Sequence, residues 1–238
     1  PSLWYANYVQ TYVERDVRQL VAVRDLSIFG RFVRLCAGRT GQLLNLSTLA
    51  SDCGITHNTA RAWISILEAS YLVFLLLPHH RNFTKRLIKT PKLYFYDPGL
   101  AAWLLGLRDP GQLAAHPLRG ALFETFVLGE IKKAHFNRGE QDRVCFWRDR
   151  AGHEIDAVFE RPDGLQPVEA KSGQTLNPDF FSGLHRWLGL AGPAAVDPVT
   201  GIDPIDAGLR ALREESASLG DFLRRAGRLT GADQLPRV

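Results

Sequence analysis

Four side chains have types and spacing suited to chemistry on a charged substrate: Glu124 in "ETFVLGEI", Asp156 in "HEIDAVFE", and Glu169 and Lys171 in "PVEAKSG". The last three interrupt strand-forming stretches, where an unpaired buried charge is expensive. A period of two puts Glu154, Asp156, Val158 and Glu160 on one face of the first strand, with Ile155, Ala157 and Phe159 on the other. In "VEAK" it puts Glu169 and Lys171 together. If the two strands pair, Asp156, Glu169 and Lys171 converge. Asp156 and Glu169 are then a carboxylate pair for a hard divalent cation such as Mg²⁺, with Lys171 orienting or helping to deprotonate an attacking water. Glu124 shares a helical stripe with Ala121, Leu128 and Ile131, and a carboxylate there needs a partner, either a metal or Lys171. The plainer alternative is an i,i+2 ion pair between Glu169 and Lys171 on a solvated strand face, with Asp156 merely near a hairpin.

The elements that must position these groups follow from the same periodicities. "PLRGALFETFVLGEIKKAHFNRG" reads as a strong helix. Strands are expected at 143–148, 154–160 and 165–170, and a helix at 179–190. Helix, three strands and helix predict an α/β unit with a mixed sheet. The Gly, Pro and Asp content of residues 106–120 suits a linker before it.

Upstream, helices are expected over residues 4–23 and 25–39. In "LLNLSTLASDCGITHNTARAWISILEASYLV", Ser47 reads as the N-cap of a short helix ending near Gly54, and Thr56 as that of the next. Ala60, Trp63, Ile64 and Leu67 form the inner stripe of the second helix, giving a helix-turn-helix. Strand-like runs 72–77 and 92–97 follow, which makes it winged. Between Glu68 and Asp97 there is no acidic residue, while Arg81, Lys85, Arg86, Lys89 and Lys92 fall there. DNA is the partner this pattern suggests: His57, Asn58, Arg61 and Ser65 on the outer helix face could reach bases or phosphates, and Arg81, Lys85, Arg86 and Lys89 could neutralise phosphates. Winged helices also serve as protein-binding modules.

Composition narrows the class without choosing within it. The 238 residues are 45% hydrophobic and 23% charged, with a net charge of +4, ordinary for a globular chain and only mildly basic. The longest apolar run, Tyr71 to Leu77, is far short of the roughly 20 residues that span a bilayer, so no membrane partner is expected. Cys36, Cys53 and Cys145 are widely spaced, fitting neither a disulfide framework nor a zinc ribbon, and a reduced, cytoplasmic setting is expected. The chain contains no Met and starts at Pro1, which suggests a piece of a longer protein.

Together, "ETFVLGEI", "HEIDAVFE" and "PVEAKSG" resemble the PD-(D/E)xK nuclease superfamily, with Glu124, Asp156, Glu169 and Lys171 on its positions and Gln174 near that of an accessory glutamine. From "YVQTYVERDVRQL" to "EAKSG" the chain resembles the C-terminal domain of unknown function of predicted prokaryotic AAA-type ATPases. The resemblance implies a helical winged-helix region over 1–110, a restriction-endonuclease-like α/β domain with a mixed sheet over 111–200, and a variable helical tail over 201–238. It implies Mg²⁺ as cofactor and an ATPase module in cis or trans. No G-x-x-x-x-G-K-[ST] occurs, so ATP binding by this chain is not expected. The prolines after Leu190 break the next expected strand, and residues 205–226 read as an added amphipathic helix. Two functions remain open: a Mg²⁺-dependent endonuclease carrying a DNA-binding module, or a regulatory DNA- or protein-binding module on an inactive nuclease-like scaffold.

Overall fold

In the computed structural model, residues 2–11, 26–79, 88–139, 143–172 and 182–195 are described. Arg81, Lys85, Arg86, Gln174, most of the first expected helix and the helix expected at 205–226 lie outside them.

The first half begins with α1 (Ser2–Tyr8) and α2 (Leu26–Ala37), the latter burying Phe29, Phe32, Val33 and Cys36. Strand β1 (Gln42–Leu43) leads to α3 (Leu46–Cys53) and α4 (His57–Ala69). Asn45, rather than Ser47, caps α3 by accepting from the Thr48 amide, because Ser47 already lies inside the helix. Gly54 ends it at φ 69°, a left-handed conformation that glycine adopts without steric cost. Thr56 caps α4 as expected. Trp63 faces inward, with Phe29 and Phe32 each meeting its ring edge-on at 5.2 Å.

Strands β2 (Val73–Leu76) and β3 (Lys92–Phe95) complete an antiparallel sheet ordered β1-β3-β2. The second strand is shorter than expected. Asp97 leaves it to cap α5 (Pro98–Leu104), accepting from the amides of Gly99 and Leu100 at 2.7 and 3.1 Å, while Pro98 opens the helix. The expected linker contains a further short helix, α6 (Pro110–Ala115).

The second half contains α7 (Arg119–Asn137), strands β4 (Val144–Arg148), β5 (Glu154–Arg161) and β6 (Gly164–Val168), and α8 (Ser182–Ala191). Strands β4-β5-β6 pair antiparallel throughout. The expected mixed sheet is therefore corrected: among the described residues, parallel pairing is confined to the isolated bridges Pro78–Phe146 and Leu165–Ala195.

One apolar core runs through both halves, from Tyr5 and Phe29 through Phe95 and Leu122 to Phe146 and Phe159. Leu113, Leu122 and Phe126 belong to it, so burial crosses the boundary expected at residue 110. Backbone joins the halves as well: Phe146 donates to the Leu77 carbonyl at 3.0 Å and His79 to the Phe146 carbonyl at 2.7 Å. A smaller core, with Trp147, Ile155, Val158, Leu165 and Trp187, fills the space between the second sheet and α8.

Candidate functional site

The carboxylates of β5 lie beside an irregularity in that strand. Trp147 pairs with Ile155 but Cys145 pairs with Val158, so three residues of β5 advance where β4 advances two. Asp156 and Ala157 share the place opposite Phe146, a β-bulge. Beyond it the faces exchange. Ile155 and Val158 both enter the smaller core, whereas Ala157 and Phe159 enter the main one. Strict alternation, with Asp156 and Val158 on one face, is thus corrected.

Helix α7 supplies Glu124 from the other side. Its orientation is fixed by Thr125, whose hydroxyl donates to the Ala121 carbonyl at 2.6 Å and bonds the Thr40 hydroxyl at 2.8 Å in a fully buried contact. Gly41 lets β1 approach this helix: a Cβ there would lie 3.2 Å from the Ala121 Cβ and 3.5 Å from Glu124 Oε2. Carboxylate oxygens of Glu124, Glu154 and Asp156 all fall within 4.8 Å of one another. Glu154 was legible only as a neighbour of Asp156 on the strand. Here it is the third member of the cluster.

Glu169 and Lys171 follow the end of β6 and adjoin the cluster through Asp156, whose Oδ2 accepts the Ala170 amide at 2.9 Å. They pair with each other at 2.8 Å. A Cβ on Gly183 of α8 would stand 3.4 Å from Glu169 Oε1, so the helix passes close over this carboxylate. The Arg119 guanidinium donates to the Ser172 carbonyl, which ties the start of α7 to the same segment.

Lys92 has a role that its place in the basic interval did not suggest. Noted only as one of the basic residues between Glu68 and Asp97, it is 2% exposed in β3, and its ammonium donates to Glu124 Oε1 at 2.8 Å while also pairing with Glu154. The Tyr94 hydroxyl donates to the same Glu124 oxygen, and Arg148 holds the other oxygen of Glu154 at 2.7 Å.

Crowding sets the electrostatics. Burial, then the Asp156 charge, pushes the Glu124 carboxyl up to about 7 against the opposing pull of Lys92 and Tyr94. Burial and Asp156 likewise push Glu169 to about 7 against Lys171. Burial pulls the Lys92 ammonium down, but Glu124 and Glu154 outweigh it and hold it above the usual lysine value. Burial pulls the Lys171 ammonium down as well, but Glu169, Asp156 and Glu124 outweigh it and hold it above the usual lysine value. These carboxylates repel at neutral pH, and their oxygen-only donor set fits a hard divalent cation.

A pH dependence follows. Glu124 and Glu169 rise from 4.5 to about 7 on folding, so the folded chain keeps protons that the unfolded chain releases. The stabilisation is complete below about pH 4.5 and is lost as pH rises through about 7. In chelator, the melting temperature is expected to fall between pH 5.5 and 8. Added Mg²⁺ should restore it at pH 8 and do little at pH 5.5, because the ligands must be deprotonated. A thermal melt series at the two pH values checks this.

On α4, His57, Asn58, Arg61 and Ser65 are exposed opposite the buried Ala60, Trp63, Ile64 and Leu67. Lys89 is exposed after the residues that lie outside the described set.

Residues 1–111 match the family described as Domain of unknown function (DUF8612), and residues 119–211 match Domain of unknown function (DUF4143). Uncharacterized proteins of Mycobacterium bovis and Mycobacterium tuberculosis are each 31% identical over 186 residues, covering 77% of this chain. The chain spans 41% of the length of these relatives. No solved structure matches it. Among the described residues, no helix is long and apolar enough to cross a membrane.

Proposed function

We propose that the chain is a DNA-binding protein with a Mg²⁺-dependent phosphodiester hydrolase site, working as part of an AAA-type ATPase. The observation carrying the catalytic part is the convergence of Glu124, Glu154 and Asp156 within 4.8 Å, beside the Glu169–Lys171 pair. A hard divalent cation held by the three carboxylates would supply charge neutralisation for a phosphate and a bound water of lowered pKa. Lys171 remains an ammonium and orients an anionic phosphate or the attacking water. Glu169, with its carboxyl near 7, is suited to accept a proton at neutral pH.

The DNA-binding part rests on the order helix, strand, helix, helix, strand, strand from α2 to β3, that of a winged helix, and on the exposed His57, Asn58, Arg61 and Lys89. Arg81, Lys85 and Arg86, which lie outside the described residues, fall in the sequence interval between β2 and β3 that this reading takes as the wing. The ATPase part rests on the resemblance to C-terminal domains of such proteins and on the match to Domain of unknown function (DUF4143).

The test is nicking of plasmid and structured DNA with Mg²⁺ or Mn²⁺, against chelator. Lys171→Ala is expected to lower cleavage by about 10²- to 10³-fold, the scale of a lost charge-stabilising group, with DNA affinity unchanged. Equal cleavage by the variant would overturn the assignment. One observation favours the second reading, a non-catalytic regulatory module: the Lys92 ammonium already neutralises Glu124 and Glu154. Absence of nicking with either metal, and of any metal-induced thermal shift, would select that reading.

A further inference from the structure

We propose that His79, Cys145 and Glu160 form a second metal site, which takes Zn²⁺ and clamps the two halves of the chain together. Cys145 and Glu160 come from neighbouring strands, and His79 from the segment that follows β2. Pro78 bridges Phe146, which brings His79 alongside β4, while Cys145 and Glu160 lie on β4 and β5. Cys145 pairs with Val158, and Glu160 lies two residues beyond it, so both side chains stand on the face turned away from the carboxylate cluster. One oxygen, one nitrogen and one sulfur ligand atom lie within 4.8 Å of each other.

Distances favour a shared ion over a simple ion pair. His79 Nε2 and Glu160 Oε1 are 3.4 Å apart. A charge-assisted hydrogen bond closes to about 2.7–2.9 Å. The edge of a tetrahedron with metal–ligand bonds of about 2.0–2.1 Å is about 3.4 Å. The Cys145 thiol donates to the Val158 carbonyl at 3.4 Å, and S–H is a weak donor, so a thiolate can exchange this contact for a metal bond. On binding, the thiol proton leaves to solvent, His79 binds as neutral imidazole, and no redox change is involved.

Donor type selects the ion. Mg²⁺ prefers six oxygens, whereas a nitrogen, sulfur and oxygen set suits Zn²⁺. His79 and Cys145 are only 2% and 8% exposed, while the Glu160 side chain is 52% exposed, which gives the ion an entry path and leaves a fourth position for water. Because His79 continues from β2 and the other ligands belong to the second sheet, a bound ion ties the DNA-facing half to the carboxylate half.

Co²⁺ is the probe, since a thiolate ligand gives a near-ultraviolet charge-transfer band that an oxygen-only site cannot. Titrating the chelator-stripped full chain should produce that band together with intense tetrahedral visible absorption, and Zn²⁺ should displace both. Cys145→Ser should remove the charge-transfer band. Glu160→Gln, at a half-exposed position where the metal-free fold tolerates the change, should weaken Zn²⁺ by at least about 10-fold. Asp156→Asn, which alters the other cluster, should leave the band intact. No band in the parent, a band surviving in Cys145→Ser, or one lost in Asp156→Asn would each overturn the proposal.

Discussion

Lys92→Ala is expected to destabilise the fold by about 3 kcal/mol at pH 8, the low end of the cost of breaking a buried ion pair. That corresponds to a fall of roughly 6–12 °C in melting temperature for a domain of this size. The ammonium is 2% exposed and neutralises Glu124 and Glu154, whose own side chains are 13% and 21% exposed, so its removal leaves two largely buried carboxylates beside Asp156. The loss should shrink at pH 5.5, where Glu124, with its carboxyl near 7, takes up a proton. It should also shrink in the double variant with Glu124→Gln, because the two residues touch and their effects are coupled. Mg²⁺ should stabilise Lys92→Ala more than the parent, as the ion takes over the charge of the lost ammonium. Equal destabilisation at both pH values, or strict additivity with Glu124→Gln, would contradict the role given to Lys92.

Asp156→Asn should separate stability from cation binding. The Asp156 charge raises both Glu124 and Glu169, so its removal relieves two repulsions at once. The isosteric amide oxygen can still accept the Ala170 amide, which keeps the segment after β6 in place. The metal-free variant is therefore expected to melt above the parent at pH 8, while its Mg²⁺-induced stabilisation disappears and cleavage falls by at least about 10²-fold. A binding site held under mutual repulsion gives up stability for function in this way. An unstable variant that still responds to Mg²⁺ would reverse both signs.

Local signals were legible where neighbours in sequence set them. Thr56, the stripe from Ala60 to Leu67 and the inward Trp63 stand where periodicity and capping put them. The structure gathers Glu124 with Asp156, and Glu169 with Lys171, as types and spacing suggested. Lys92 was not legible because its partners lie 32 and 62 residues further on, and nothing nearby distinguishes a lysine entering the core from a solvated one. The reassigned faces of β5 beyond Asp156 depend on a bulge that no glycine marks, and Glu154, on the face of Asp156 by the period of two, has its ammonium partner Lys92 62 residues away in sequence. Asp97 was read as the end of a strand, although "DPG" spells a capped helix start with proline at its first position. His79, Cys145 and Glu160 were not legible because metal spacing rules describe ligands close in sequence, whereas these come from two strands and the segment after β2, brought together by tertiary pairing.

The central claim is that Glu124, Glu154 and Asp156 hold a divalent cation. Anomalous diffraction from crystals of the full chain soaked in Mn²⁺ at pH 8 tests it most directly. The expected result is a peak bonded to oxygens of all three carboxylates, with the Lys92 ammonium displaced from at least one of them. Crystals at saturating Mn²⁺ that show no such peak, with Lys92 still bridging Glu124 and Glu154, would contradict it.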